Sequence, residues 1–285
     1  MVNFVELLPA VFYFATPLIL AALGELVVER AGVVNIGIEG MMLAGALGAW
    51  VACAWHGPAV GIIAAMLAAM ILALPFALAT LVFAADQIVT GTGINLLALG
   101  LTGMIYKLVP QDWGNRVVGI DVKWLIALTP LTAVLIWIYL RFTRSGLELI
   151  AIGEAPQAAD TAGIPVQARK FLAIMFGAAC AGCAGAYLSI MYNRSFTENM
   201  SDGIGFLALA MVIFGRWNPV GIVLAGLFFG LVRAIANQLE TRNGFSPAML
   251  RMFGMLPYLV SLAALAGVGG KSGSPAALGK PYQRE

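Results

Sequence analysis

The sequence predicts an all-helical, polytopic membrane protein with about nine transmembrane helices (8–10), built as a single transmembrane domain over residues 1–285. Three observations carry that expectation. Of the 285 residues, 61% are hydrophobic and only 11% charged. Mean hydropathy is +0.93, far above that of a soluble domain. Apolar runs also recur along the whole chain and leave no soluble domain over. A hydrocarbon core about 30 Å thick takes roughly 20 helical residues per crossing, and the runs have that length.

In order, the apolar segments are 7–28, 36–55, 58–84, 88–109, 123–142, 170–191, 203–217, 219–239 and 248–268. The first follows "MVNFVELLPA", which lacks the basic region of a cleavable signal and predicts a retained helix. The second, entered through "VVNIGIEGMM", reads either as a full span or as a shorter, partly broken helix. The fourth carries Thr90, Thr92, Asn95 and Tyr106. The sixth and eighth hold glycine sets, Gly177, Gly182 and Gly185 in one and Gly221, Gly226 and Gly230 in the other. These read as close helix packing.

Between the fifth and sixth segments lies the one long link, from Arg141 to Lys170, with Arg141, Arg144, Arg169 and Lys170 near the helix ends. The positive-inside rule assigns it to the cytoplasm. Counting spans from there places the N-terminus outside. The tail 269–285, with Lys271, Lys280 and Arg284, then falls inside as a solvated segment. Gly37-Ile38 and the run after it also echo Gly203-Ile204 and its run. Five spans apart, the two copies would have opposite topology, as in an inverted repeat, with Asn35/Glu39 and Asn199/Asp202 at related entries.

Motifs for chemistry are sparse. One histidine, His56, and the lack of G-x-S-x-G and H-E-x-x-H argue against a hydrolase or metalloenzyme. Cys180 and Cys183, spaced C-x-x-C between alanines and glycines, read as small packing residues, as does Cys53. The tail "GVGGKSG" fails as a phosphate loop, because Leu265 stands where the first glycine is required. A net charge of +2 gives no footprint for nucleic acid.

The long link has finer punctuation. Glu154-Ala155-Pro156 opens the run "QAADTA", Gly163 closes it and Pro165 follows. Proline early, acid nearby and glycine after the last turn predict a short autonomous helix of about two turns. It could dock into a groove on another protein or be a surface connector.

At this point four blocks, "ERAGVVNIGIEGMMLAGA", "DQIVTGTGINLLALGL", "AIGEAPQAADTAGIPVQARK" and "FTENMSDGIGFLALAMVIFGRWNP", resemble permease subunits of ATP-binding-cassette importers of the branched-chain amino acid, ribose and simple-sugar group. They are most similar to the shorter permease of nucleoside-type systems. The similarity covers roughly residues 10–265. It implies that the loop 143–169 holds a coupling helix facing a cytoplasmic ATPase, carried by Gly153, Glu154, Pro156, Ala158, Ala159, Asp160 and Gly163. It further implies a second, homologous permease in a heterodimer, a pair of nucleotide-binding ATPase subunits and an extracytoplasmic substrate-binding receptor. The setting is the bacterial inner membrane and its lipid. No cofactor is expected on this chain; ATP and Mg belong to the partner ATPase.

The remaining candidates are polar residues in apolar surroundings: Asn35, Glu39, Thr90, Asn95 and Asn199, as pathway or gating groups. A charge at mid-membrane costs on the order of 2.5–3.5 kcal/mol on insertion scales, so Glu39 needs a partner. It reads either as a substrate contact or as a group capping or bridging a broken helix near the cytoplasmic face, paired with Arg30 or Arg216. The expected function is translocation of nucleosides, or of a simple sugar, with ATP hydrolysed elsewhere. A self-sufficient secondary transporter is the alternative.

Overall fold

The structure is a computed structural model that describes residues 4–110, 113, 117, 123–240, 249, 252, 255, 256, 259, 262 and 273–282. Among them the helices are α1 (Phe4–Arg30), α2 (Ile38–His56), α3 (Pro58–Ala77), α4 (Gln87–Leu108), α5 (Lys123–Phe142), α6 (Arg144–Glu154), α7 (Pro156–Thr161), α8 (Val166–Ala186), α9 (Ile204–Phe214) and α10 (Pro219–Glu240). α3 and α8 each run on into π-helical turns, over Leu78–Val82 and Tyr187–Tyr192.

Seven of these helices are long and apolar enough to cross a membrane: α1 to α5, α8 and α10. The all-helical class is therefore as the sequence predicts. The second segment resolves into a 19-residue helix of spanning length. The segment expected at 203–217 is shorter: α9 has 11 residues, about 16 Å of rise, half a crossing. The expected span at 248–268 lies almost wholly outside the described residues.

α1 is the central post, packed against α5, α8, α9 and α10, while α2 and α3 pack on α8 from the other side. Small residues let the backbones close up. A Cβ built on Gly45 of α2 would come 2.5 Å from the Cα of Gly182 on α8, and one on Gly230 of α10 would come 2.7 Å from the Val11 carbonyl of α1. Without a hydrophobic drive between helices in lipid, such close approach supplies the packing energy.

The link between α5 and α8 contains two helices, not one. Thr143 caps α6 by accepting the Gly146 N–H at 3.1 Å. After α7, the Gly163 and Ile164 N–H groups bond to the Asp160 and Ala159 carbonyls at 2.9 and 3.0 Å, and Gly163 has φ +83°. This double closure with a left-handed glycine ends a helix cleanly, and it is the stop that the sequence predicts at Gly163.

Of the tail expected to be solvated, the described residues 273–282 are docked on the helices with part of their surface exposed. Ala277 N–H bonds to Gly153 O at 2.9 Å and Gly279 N–H to Gly32 O at 3.3 Å. Tyr282 is buried with Ile152, Ala159 and Val166. Pro275, Ala277 and Tyr282 are buried, while Ala276, Lys280 and Pro281 are exposed. Lys271 and Arg284 lie outside the described residues, as does the rejected phosphate-loop run 265–272.

Candidate functional site

Two helices begin inside the bundle, and their starts meet. After α1 the chain turns back at Gly32, φ +82°, and re-enters alongside the helix it has just left. The Asn35 N–H reaches the Glu25 carboxylate at 2.9 Å, five residues, or about 7.5 Å, before the end of α1. From the other direction α9 begins at Ile204, after Gly203 in the left-handed region at φ +82°. Non-helical backbone at such depth leaves N–H and C=O groups that cost several kcal/mol each unless protein satisfies them.

Side chains from three helices do so. Gln87 of α4 accepts the Val34 N–H at 2.8 Å. Asn95, two turns further along α4, bonds twice: its carbonyl accepts the Gly40 N–H at 2.8 Å and its amide donates to the Ile36 carbonyl at 2.9 Å. It thereby caps α2 and pins the loop that leads into it. Glu39, 8% exposed, accepts the Gly203 N–H at 2.9 Å on one oxygen and the Gly205 N–H at 2.6 Å on the other. A carboxylate at a helix N-terminus meets both the orphan donors and the positive end of the dipole.

Glu39 is thus bound to the start of α9. The pairing with Arg30 or Arg216 expected from the sequence does not form, because α9 separates its first residue from Arg216 by its whole length. Arg30 instead donates to the Trp217 carbonyl at 2.6 Å, and the Trp217 indole donates to Glu29 at 2.5 Å, stitching the end of α1 to the end of α9. The two Gly-Ile entries that echo one another in sequence do meet in space.

The other candidates divide. Asn35 is fully buried and gives its backbone N–H to Glu25 and its amide to the Met41 sulfur at 3.3 Å. Thr90 and Thr92 do not join this cluster; their hydroxyls bond to Asp86 O and Ile88 O on their own helix, at 2.7 and 2.8 Å. Tyr106 packs edge-on against Trp50 and tilted against Phe196, centroids at 5.7 and 5.1 Å. Asn199 is exposed in the link before α9, with φ +58°. Gln87 and Trp217 were missed; an amide in a first helical turn and a tryptophan after a last one carry no distinctive signal.

At one end of the bundle lies the second candidate region. Ile152, Ala159 and Val166 form a small core under α6 and α7. Glu154, Gln157, Ala158 and Thr161 are exposed above it. Pro156 and Ala159 face inward, so of the two alanines expected to meet a partner only Ala158 is presented. Gly153 is pressed against the Arg30 carbonyl, and Glu154 accepts the Ala276 N–H at 3.3 Å. The tail thus links α6, through Gly153, to the turn that precedes α2, through Gly32.

Comparison with known proteins bears on both regions. The chain is 34% identical to the guanosine ABC transporter permease protein NupQ of Bacillus subtilis, over 97% of this chain and 96% of that one. It is 32% identical to the nucleoside ABC transporter permease protein NupC of Lactococcus lactis subsp. cremoris, over 99% and 98%. It is 35% identical to the "Putative glucose ABC transporter permease protein TsgC13" of Haloferax volcanii, over 83% and 78%. Among solved structures, "An inward-facing conformation of a putative metal-chelate type ABC transporter" aligns with TM-score 0.53 and 16% identity, over 92% of this chain and 84% of that one. That likeness speaks to fold alone. Permeases of this kind are transport components, not enzymes in themselves, and imply an ABC system with ATPase and binding-protein partners. Residues 7–265 match the family described as branched-chain amino acid transport system / permease component, and the chain belongs to it as the multi-pass membrane permease subunit of an ABC importer.

Proposed function

We propose that the importer carries nucleosides and that this chain forms its pathway together with a second, homologous permease in the bacterial inner membrane. Support for the cargo comes from the relatives named for guanosine and for nucleosides, which align over nearly the whole chain. A paired arrangement is supported by the similarity to two guanosine ABC transporter permeases of the same organism, NupQ and NupP of Bacillus subtilis. The relative named for glucose favours a simple sugar as the second reading.

The observation that carries the mechanism is the placement of α7. Its exposed face, with Glu154 before it and Ala158 upon it, is the surface offered to a cytoplasmic ATPase that binds ATP and Mg. This orientation leaves the N-terminus outside and the tail 273–282 in the cytoplasm, in keeping with the basic residues Arg141, Arg144, Arg169 and Lys280 at that end. Movement of α6 and α7 is passed through Gly153 to the end of α1 and through the tail to the turn at Gly32. From there it reaches the buried start of α2, where Asn35, Glu39 and Asn95 hold the pathway in one arrangement. Glu39 in this reading positions α9 and does not read the cargo.

The test is uptake by the complete transporter, with its receptor, both permeases and its ATPase, in proteoliposomes loaded with ATP. Labelled guanosine and uridine should accumulate and labelled glucose and ribose should not. Accumulation of the sugars alone would overturn the nucleoside reading. Uptake by this chain alone, driven by a proton or sodium gradient without ATP, would overturn the coupling.

A further inference from the structure

At the end of the bundle away from α7, a cavity of about 200 Å³ opens between α1, the π-helical end of α8, the link before α9 and α10. Tyr187, Leu207 and Phe229 are buried at its floor, while Tyr192, Asn193 and Asp202 are exposed at its mouth. Tyr13 forms one wall, its ring 5.7 Å from that of Tyr187 and 5.0 Å from that of Tyr192.

Two features set this cavity apart from ordinary packing. The first is the backbone of α8. Residues five apart on an α-helix point about 140° away from one another, so Tyr187 and Tyr192 would face different neighbours. The π-helical turns, closed by an Asn193 N–H to Leu188 O bond of 3.0 Å, widen the helix to i→i+5 and bring both tyrosines against Tyr13. The second is Arg233, the one charge of α10 before Glu240, which lines the cavity. An arginine in a span is costly and faces protein or a water-filled space.

Flat aromatic faces with an amide, a carboxylate and a guanidinium at their edges suit a planar heterocycle that carries donors and acceptors in its own plane. Sugar hydroxyls would call for more polar groups on the walls than this cavity has. The Tyr187 hydroxyl is already bound to the Tyr13 backbone carbonyl at 2.8 Å, so the Tyr187 ring is held in place, and Tyr192, exposed at the mouth, is the ring an entering ligand meets first. We propose that this cavity is a station for the base of a nucleoside on its way inward, with the base stacked on Tyr13 and Tyr192 and its edge read by Asn193 and Arg233. The proposal rests on the nucleoside reading above and adds a site within this chain.

The experiment uses the complete transporter. Photolabelling with 8-azidoguanosine, without receptor, should mark the peptide holding Tyr187 to Asn193, and excess guanosine but not ribose should protect it. Tyr192→Leu should lower guanosine uptake about tenfold, the order expected for one lost base–aromatic stack, with ATPase copurification unchanged. Tyr192→Phe, which keeps the ring, should recover most of that loss. Labelling elsewhere, equal protection by ribose, or normal uptake by Tyr192→Leu would overturn the station while leaving a nucleoside importer intact. A wild-type transporter that takes up no nucleoside would overturn both.

Discussion

Glu39 and Gly203, 164 residues apart, are joined by a 2.9 Å hydrogen bond from the Gly203 backbone N–H to the Glu39 carboxylate. A carboxylate from the first turn of α2 therefore serves as the cap of α9. Glu39→Gln presents an amide N–H₂ to one of two backbone donors and removes the charge from the helix end. Charge-assisted hydrogen bonds contribute about 1.5–3 kcal/mol and an orphaned donor costs about 1–3 kcal/mol, so a loss near 3 kcal/mol is expected. Melting of the purified complex should drop, and uptake should fall by the same factor for every substrate. A change in preference between substrates would instead make Glu39 a cargo contact.

Asn95→Leu should be as damaging as a large core cavity, although it adds apolar surface. It orphans the Gly40 N–H and the Ile36 carbonyl together, at about 1–3 kcal/mol each. Asn95→Asp restores an acceptor for Gly40 but repels the Ile36 carbonyl, and should not rescue. Yield of folded protein in detergent is the readout.

The two alanines of α7 should separate coupling from folding. Ala158→Arg, on the exposed face, should leave the melting temperature within a degree or two of wild type and abolish ATP-driven uptake. Ala159→Arg forces a charge among Ile152, Val166 and Tyr282 and should destabilise that end of the molecule by about 3 kcal/mol or more. Equal behaviour of the two variants would show that the face has been assigned wrongly.

Tyr282→Ala should loosen α7 without touching it covalently. Truncation of a buried aromatic costs about 3–5 kcal/mol in a full core and less here, at the edge of a small one. Hydrogen exchange of α6 and α7 should accelerate, and uptake should fall more than ATP hydrolysis does.

The fold class was legible because composition alone demands lipid, and α7 because proline and glycine punctuate it by local rules. The entries at Gly37 and Gly203 stood out in the sequence through their echo, but their contact with one another did not, since it joins residues more than 160 positions apart. Glu39 was recognised as a buried carboxylate in need of a partner, but its partners are backbone N–H groups, which every residue except proline possesses. The sequence does not show where the Thr90 and Thr92 hydroxyls donate; both bond four residues back on their own helix, as helical hydroxyls commonly do. The docking of residues 273–282 was hidden because it depends on Gly32, Gly153 and Val166, each more than 100 positions away in the chain.

That tail also orders events in time. Residues 273–282 emerge from the ribosome after α1, α6 and α7 have been made, and the chain grows at about 5–20 residues per second. Until they arrive, Ile152 and Ala159 stay uncovered and the turn at Gly32 is untied. A nascent permease therefore keeps its α6–α7 end open until residues 273–282 dock there, so that end closes only after every helix it fastens has been made.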